Sequence, residues 1–304
     1  MGNIVWSRKR IREDNFAMLT ILAPAKLNLT LEVLGKRTDG YHEIRSLAQT
    51  ISLCDILSFE PATGTSLECN EASLQNDDNL VLHAAELLKE TYGYRGGSRI
   101  KLEKNIPWSA GLGGGSSDAA ATLLALNLLW QLQLKTTNLL ELAAQLGSDV
   151  PFFIYKGTAL LEGRGEKITP LLPTSAKNWF VLLVPPLSKM LDKTKKAYSL
   201  LKESHFTTGQ STTKAAEQWI RRRQISPPLL CNVFDSVAFN IFPELNVYWK
   251  YFEQAGATHI HLAGSGPTLF APFDGESHAR EVHQYLAGQG IASHIVSTMI
   301  ESAN

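Results

Sequence analysis

The sequence predicts an α+β protein built as two lobes of similar size. Runs with period-two apolar alternation and runs with helical patterning are interleaved, without a regular βαβα order. The pattern then restarts after Pro170-Leu171-Leu172-Pro173. This divides the chain into residues 18–170 and 171–304, with residues 1–17 ahead of Met18 as an N-terminal extension, either a natural arm or an expression remnant. A chain of 304 residues, 44% hydrophobic and 19% charged, has material for a packed core and excludes a disordered or collagen-like protein.

The elements follow in order. "LTILAPAKLNLTLEVLGKR" alternates through Leu27, Leu29, Leu31 and Val33, a half-buried strand, and Asp39-Gly40 marks a turn. "SLAQTISLCDILSFEPA" is expected to form a strand pair. "DDNLVLHAAELLKETYG" reads as a helix capped by Asp78 or Asn79 and ended before Gly93. "SRIKLEKNIP" is a strand stopped by Pro107. "SDAAATLLALNLLWQL", apolar on nearly every face, is a buried helix. "NLLELAAQLG" is a helix closed by Gly147. "VPFFIY" and "GTALLEGRGEKITPL" are expected strands, with a turn at Gly163–Gly165. In the second half "WFVLLVPP" is a buried strand and "KTKKAYSLLKES" a helix. The polar, turn-rich residues 204–214 are expected to be a loop. "HIHLAGSGPTLFAPF" is strand, glycine loop, strand; "ESHAREVHQYLAGQG" is a helix and "ASHIVSTMI" the last strand.

Lys+Arg and Asp+Glu are balanced at 29 each, so no global charge calls for nucleic acid or an anionic membrane. Cys54, Cys69 and Cys231 are scattered and form no CxxC, against both a disulfide framework and a zinc knuckle. A reducing, cytoplasmic setting is expected. No run approaches the roughly 18 uncharged apolar residues of a membrane span. The start, "MGNIVWSRKRIREDNFA", lacks the apolar core of a signal peptide; Arg8, Lys9, Arg10 and Arg12 read as a solvated tail. His259-x-His261 would put two histidines on one strand face, without a third metal ligand. Arg221–Arg223 reads as a solvated helix surface. Asn28-Leu-Thr30 is a formal glycosylation sequon, irrelevant without secretion.

One stretch carries chemistry. "IPWSAGLGGGSSDAAATLLALNLLW" (106–130) places Gly111, Gly113, Gly114 and Gly115 among Ser109, Ser116 and Ser117, directly before the buried helix. Glycines permit close backbone approach. Successive N–H groups can form an anion nest. The helix start adds free donors and a partial charge of about +0.5. A phosphate is the natural occupant, with Ser116 and Ser117 as added hydroxyl donors or magnesium contacts. The P-loop is excluded because no lysine follows the glycines, and GxGxxG because Ser116 stands where its last glycine belongs. On spacing alone, a phosphate cradle and a plain Gly/Ser turn into a helix both remain open. A cradle without its own lysine needs charge and a base from elsewhere. Lys26 in "APAKLNL" and Asp149 in "GSDVPFF" are candidates, although separately they read as a solvent-facing lysine and a helix cap.

Taken together, "PAKLNLTLEVLGKRTDGYHEI", "IPWSAGLGGGSSDAAATLLALN" and "LAGSGPTLFA" resemble the three motifs of the GHMP kinases, in order and spacing, from about Leu19 to the C-terminus. The resemblance implies the two-lobed fold of that family, with a ribosomal protein S5 domain 2-like N-terminal lobe and an α/β-plait-like C-terminal lobe. It implies ATP with Mg²⁺ on Pro107, Ser109, Ala110, Gly111, Leu112, Gly113, Gly114, Gly115, Ser116 and Ser117. Lys26 and Asp149 match the catalytic pair: Asp149 accepts the proton of the acceptor hydroxyl, and Lys26 steadies the ionised Asp149 and the developing charge. Asn28 would hydrogen-bond the acceptor. The "TDGYHEI" tail resembles the branch whose acceptor is a cytidine-diphosphate-linked methylerythritol. There Tyr41 stacks on cytosine, His42 bonds the base edge, and Tyr198, one helical turn after Thr194, closes the stack. Gly264, Ser265 and Gly266 of the third motif would buttress the phosphate loop. Three departures stand out. Trp108 replaces a smaller residue, "PPLSKMLDKTKKAY" lacks the usual glycine, and no acidic magnesium ligand is evident, so the metal contacts are open. The competing expectations are a kinase for a sugar, homoserine or a mevalonate derivative, and a nucleotide-binding module without catalysis.

Overall fold

A computed structural model describes residues 4–5, 18–174, 176–187, 190 and 192–299. The extension at 1–17, with Arg8, Lys9, Arg10 and Arg12, lies outside these residues except for β1 (Ile4–Val5), as do residues 188, 189 and 191 of "PPLSKMLDKTKKAY".

The alternation from Leu19 produces one strand, β2 (Leu19–Lys36), paired antiparallel with β3 (His42–Ala62) across the Asp39-Gly40 turn. The expected strand pair is therefore a single strand. The polar residues Gln49 and Thr50 in its middle do not interrupt it, because both side chains are satisfied in the sheet: Gln49 accepts from the Thr158 hydroxyl, and Thr50 Oγ1 accepts from the Gly157 N–H at 3.1 Å. Register shifts at Pro24/Lys26, Asn28/Thr30 and Val33/Gly35 interrupt the β2–β3 ladder, a feature that bends and twists such ribbons. There follow β4 (Ser66–Cys69), α1 (Leu80–Tyr92), β5 (Gly97–Glu103), α2 (Gly114–Leu129), α3 (Thr136–Leu146), α4 (Val150–Tyr155), β6 (Thr158–Gly163) and β7 (Lys167–Leu171). Asn79 caps α1 by accepting from the Val81 N–H at 2.9 Å. "VPFFIY" is a helix, not a strand. A short apolar run has no period to tell the two apart, Pro151 is tolerated in the first turn, and Phe152 and Phe153 bury into the core beside α2.

The second half supplies β8 (Trp179–Leu183), α5 (Lys193–Ser199), α6 (Gln210–Arg222), β9 (Cys231–Asn232), α7 (Ala238–Ile241), α8 (Leu245–Gln254), β10 (His261–Leu262), β11 (Leu269–Phe273), α9 (Glu276–Gly288) and β12 (Ser293–Ser297). The expected loop at 204–214 instead runs into α6. Its buried residues Thr212, Ala215, Ala216 and Trp219 keep helical spacing. The first of them is polar, and its hydroxyl donates to Thr30 Oγ1 at 2.9 Å.

Among the described residues there are two sheets. The first has the order β1-β2-β3-β5-β4, with β6 and β9 added on β3 and β2 and β7 on β6; the second is β10-β11-β8-β12, antiparallel throughout. Helices α1 to α4 and the first sheet enclose one core. A second core fills the other lobe. A third apolar cluster joins them: Ala25, Leu27 and Leu29 of β2 meet Ala110 and Leu112 of the glycine stretch, Phe180 and Leu182 of β8, and Ala263. The fold is thus the expected two-lobed α+β arrangement, with the glycine stretch at the seam.

The remaining sequence features fall into place. His261 on β10 lies 2.7 Å from Asp235, while His259 lies outside that strand, so the two histidines do not share a strand face. The three cysteines are free. No helix among the described residues is long and apolar enough to cross a membrane.

Candidate active site

The strand β5 delivers the chain to the glycine loop, and α2 begins at Gly114 rather than Ser117. The loop is pinned to β2: the Lys26 N–H donates to the Leu112 carbonyl at 2.9 Å. Gly111 and Gly113 have φ of +88° and +73°, a region that disfavours side chains. A Cβ on Gly111 would lie 1.9 Å from the Ala263 carbonyl oxygen, so loop and third motif meet backbone to backbone. We expect Gly111→Ala to force these segments apart, lowering stability by about 1–3 kcal/mol and weakening ATP binding. Thermal melting and nucleotide titration check this, and wild-type values for both would refute the contact.

Beneath the loop lies a buried ion cluster. Lys104 Nζ donates to Asp118 Oδ2 at 2.8 Å and to Asp55, whose other oxygen accepts from the N–H groups of Asn105 (2.6 Å) and Ile106 (2.8 Å). Burial alone would lower the Lys104 ammonium, but the two carboxylates outweigh it and raise it. Burial, reinforced by Asp55 and opposed by Lys104, pushes the Asp118 carboxyl well above the usual range.

Lys26 is buried, against the expectation of a solvent-facing lysine. Its Nζ donates to Asn28 Oδ1 at 2.6 Å and lies 3.5 Å from Asp149 Oδ2; Asn28 Nδ2 in turn donates to Ser46 Oγ at 2.7 Å. The Asn28 carboxamide thus orients Lys26 from within the sheet. Asp149 occupies the N-cap position of α4 yet makes no capping bond, and its carboxylate is 40% exposed. It is turned to Lys26 instead.

At the other end of the site the His42 and Tyr198 rings stack at 4.8 Å and 19°, with Phe234 edge-on to Tyr198. Tyr41 is exposed, with the Arg164 guanidinium 4.7 Å from its ring centre. Burial and then Lys36 lower His42, leaving at neutral pH an imidazole with one donor and one acceptor nitrogen. Burial and then the charge of Asp149 push the Tyr198 phenol up to about 12.

The glycine loop, the Lys26–Asp149 pair and the aromatic end with Arg164 line one cavity of about 1130 Å³, more than the roughly 300–1,000 Å³ of a single small-ligand site. It takes in Pro107, the stretch Ser109–Ser116, Lys26, Asn28, Asp149, Tyr41, His42, Thr194, Tyr198, Gly264 and Ser265. Two expected residues are not on its wall. Ser117 is 1% exposed and its hydroxyl has no hydrogen-bond partner, because α2 has already begun and turns the side chain inward. Gly266 stands behind the wall, where its carbonyl accepts from Lys193. Lys193 and Arg164 line the cavity and were missed by the sequence reading. Lys193 is masked by the run Lys193-Thr194-Lys195-Lys196, and Arg164 was visible only as the middle of a glycine turn.

This geometry agrees with the relationships of the chain. Its residues 79–157 match the GHMP kinases N terminal domain and residues 213–292 the GHMP kinases C terminal domain. The chain belongs to the GHMP kinase family and is a small-molecule kinase, with ATP as its phosphoryl donor. Among its relatives is the 4-diphosphocytidyl-2-C-methyl-D-erythritol kinase of Dehalococcoides mccartyi, 47% identical over 93% of this chain and 99% of the relative. The enzyme of the same name from Pelotomaculum thermopropionicum is 42% identical over 87% and 92%. A crystal structure of 4-(cytidine 5'-diphospho)-2C-methyl-D-erythritol kinase superposes with a TM-score of 0.77 at 34% identity, over 91% of this chain and 98% of that one. Homoserine kinase from Cytophaga hutchinsonii, at 17% identity and a TM-score of 0.70 over 96% and 98%, shares the fold.

Proposed function

We propose that the chain transfers the γ-phosphoryl group of ATP to the 2-hydroxyl of 4-diphosphocytidyl-2-C-methyl-D-erythritol, a step of non-mevalonate isoprenoid synthesis in the cytoplasm. Residues 18–170 form the ATP-binding lobe in this reading and 171–304 the second lobe. The observation that carries it is the Lys26–Asp149 pair at the foot of the glycine loop, in a cavity that continues to the rings of Tyr41, His42 and Tyr198. The names of the similar enzymes support the choice of acceptor.

Phosphoryl transfer leaves the protein mainly positioning and electrostatics. The loop Ser109–Ser116 and the start of α2 cradle the phosphates. Asp149, free of a capping bond, takes the proton of the acceptor hydroxyl, and Lys26, oriented by Asn28, sets its charge beside the developing alkoxide. Tyr41 offers a ring face to cytosine, Tyr198 closes that end of the site from behind its stack on His42, and the neutral His42 offers a donor and an acceptor to the base edge. Among the described residues no group of three His, Cys, Asp or Glu side chains could hold a metal alone. Magnesium would therefore be held chiefly by the nucleotide's own phosphates, with the Ser116 hydroxyl as a wall oxygen, and would neutralise phosphate charge there.

The deciding assay is ATP turnover with the CDP-linked alcohol against plain methylerythritol, homoserine and mevalonate. Turnover is expected with the first only, and preference for any other would overturn the acceptor. Tyr41→Ala should raise the acceptor KM about tenfold, the loss of roughly one stacked base, with unchanged melting since the ring is exposed. An unaltered KM removes Tyr41 from the cytosine site.

A further inference from the structure

The glycine loop has no lysine, and Lys26 is engaged with Asn28 and Asp149. A second ammonium lines the same cavity. Lys193 opens α5, and its Nζ donates to the Ser109 carbonyl of the loop at 2.6 Å and to the Gly266 carbonyl of the third motif. In the next residue, Thr194 Oγ1 lies 2.9 Å from Ser265 Oγ. One helical turn thus ties together the loop and the motif that buttresses it. An ammonium has three donors; the carbonyls use two, leaving one for a phosphate oxygen.

We infer that Lys193 is a positioning residue of the phosphate site, clamping the glycine loop to the third motif and adding the positive charge that the loop itself lacks. The inference rests on the kinase reading above. Burial and then Lys26 bring the Lys193 ammonium down to about 8. A bound polyanion favours the charged form and raises it again. Nucleotide binding near pH 8 therefore takes up a proton, and affinity falls as pH rises through 8. The charge facing Lys193 from β2 is Lys26, with Asp149 paired to it. The glycine loop (109–117), the third motif (263–268) and α7 contain no ionisable side chain, and its own helix brings Asp192, Lys195, Lys196 and Tyr198.

The test is calorimetric titration of a non-hydrolysable ATP analogue, without acceptor, at pH 7 and 9 in buffers of different ionisation heat. Wild type should bind about tenfold more tightly at pH 7 than at pH 9, with proton uptake. Lys193→Met should bind about tenfold more weakly at pH 7, with neither the slope nor the uptake. Lys193→Arg, charged at both pH values, should recover most of the pH 7 affinity and lack the slope. A methionine variant that keeps the wild-type slope and uptake overturns the inference whatever its affinity, because the lysine would then act through packing alone. A wild type that fails to bind the analogue overturns the kinase reading, a result distinct from any difference between variants.

Discussion

Asp149→Asn should lower kcat by about 10²–10⁴-fold, the usual worth of a positioned general base, while melting temperature and nucleotide affinity stay near wild type. The separation follows from the local structure. The Asp149 carboxylate makes no capping bond to α4 and is 40% exposed, so the helix loses nothing it relies on. The one interaction lost, to Lys26, involves a carboxylate 40% exposed and is worth about 1 kcal/mol or less. Lys26 keeps its bond to Asn28, and the loop keeps its link from the Lys26 N–H to Leu112. What disappears is the proposed proton acceptor, together with the charge that faces Lys26. Single-turnover kinetics with the CDP-linked alcohol separate the chemical step from binding. Wild-type kcat in the variant would remove Asp149 from the reaction, and a collapsed melting temperature would make it a structural residue.

The largest stability effect is expected at Lys104, which touches no proposed substrate. Lys104→Met strips the cation from two carboxylates that are essentially inaccessible to solvent. Breaking a buried pair on one side costs about 3–5 kcal/mol. Asp55 also receives the N–H groups of Asn105 and Ile106, so the charge cannot simply move away. For lobes of this size the loss amounts to a fall in Tm of roughly 6–20 °C. Because Lys104 lies under the first residue of α2, with its Nζ 2.9 Å from where a Cβ on Gly114 would stand, the ATP KM should rise as well. Adding Asp118→Asn to Lys104→Met should restore part of the stability, because a neutral amide replaces a buried carboxyl left without its cation beside Asp55. Calorimetric melting of both variants is the check. A Lys104→Met protein melting with wild type, or a double variant less stable than the single, would refute the cluster's role.

Local signals were legible in the sequence where they act locally. Asn79 caps α1, the alternation from Leu19 makes β2, and Gly111 and Gly113 take the positive φ that glycine permits, while Gly114 and Gly115 already belong to α2. Lys26 and Asp149 could be nominated because a cradle without a lysine needs charge and a base, although each alone suggested something ordinary. The misses have a common physical source, which is that partners distant in sequence decide the outcome. "VPFFIY" is helical because Phe152 and Phe153 pack beside α2. The polar start of α6 is ordered by Thr30 on β2. Lys104 carries no signal of its own in the sequence, because Asp55 and Asp118 reach it from 49 and 14 residues away, and Lys193 was one of several lysines until the loop and third motif met around it. Ser117 erred the other way: the helix starts at Gly114 and rotates its hydroxyl into the interior.

The backbone contact between Gly111 and Ala263 also sets a timetable for the newborn chain. Every residue matching the N-terminal family domain has been made by position 157. The glycine loop still lacks its rear support until Ala263 and Gly264 have been synthesised and folded back. The last strand closes later still, when Thr298 bridges to Ile51 on β3. A nascent chain carrying only the first lobe thus still lacks the backbone that abuts Gly111. The loop's rear support is a segment made roughly 150 residues after the loop itself, so the seam between them can form only once both have emerged.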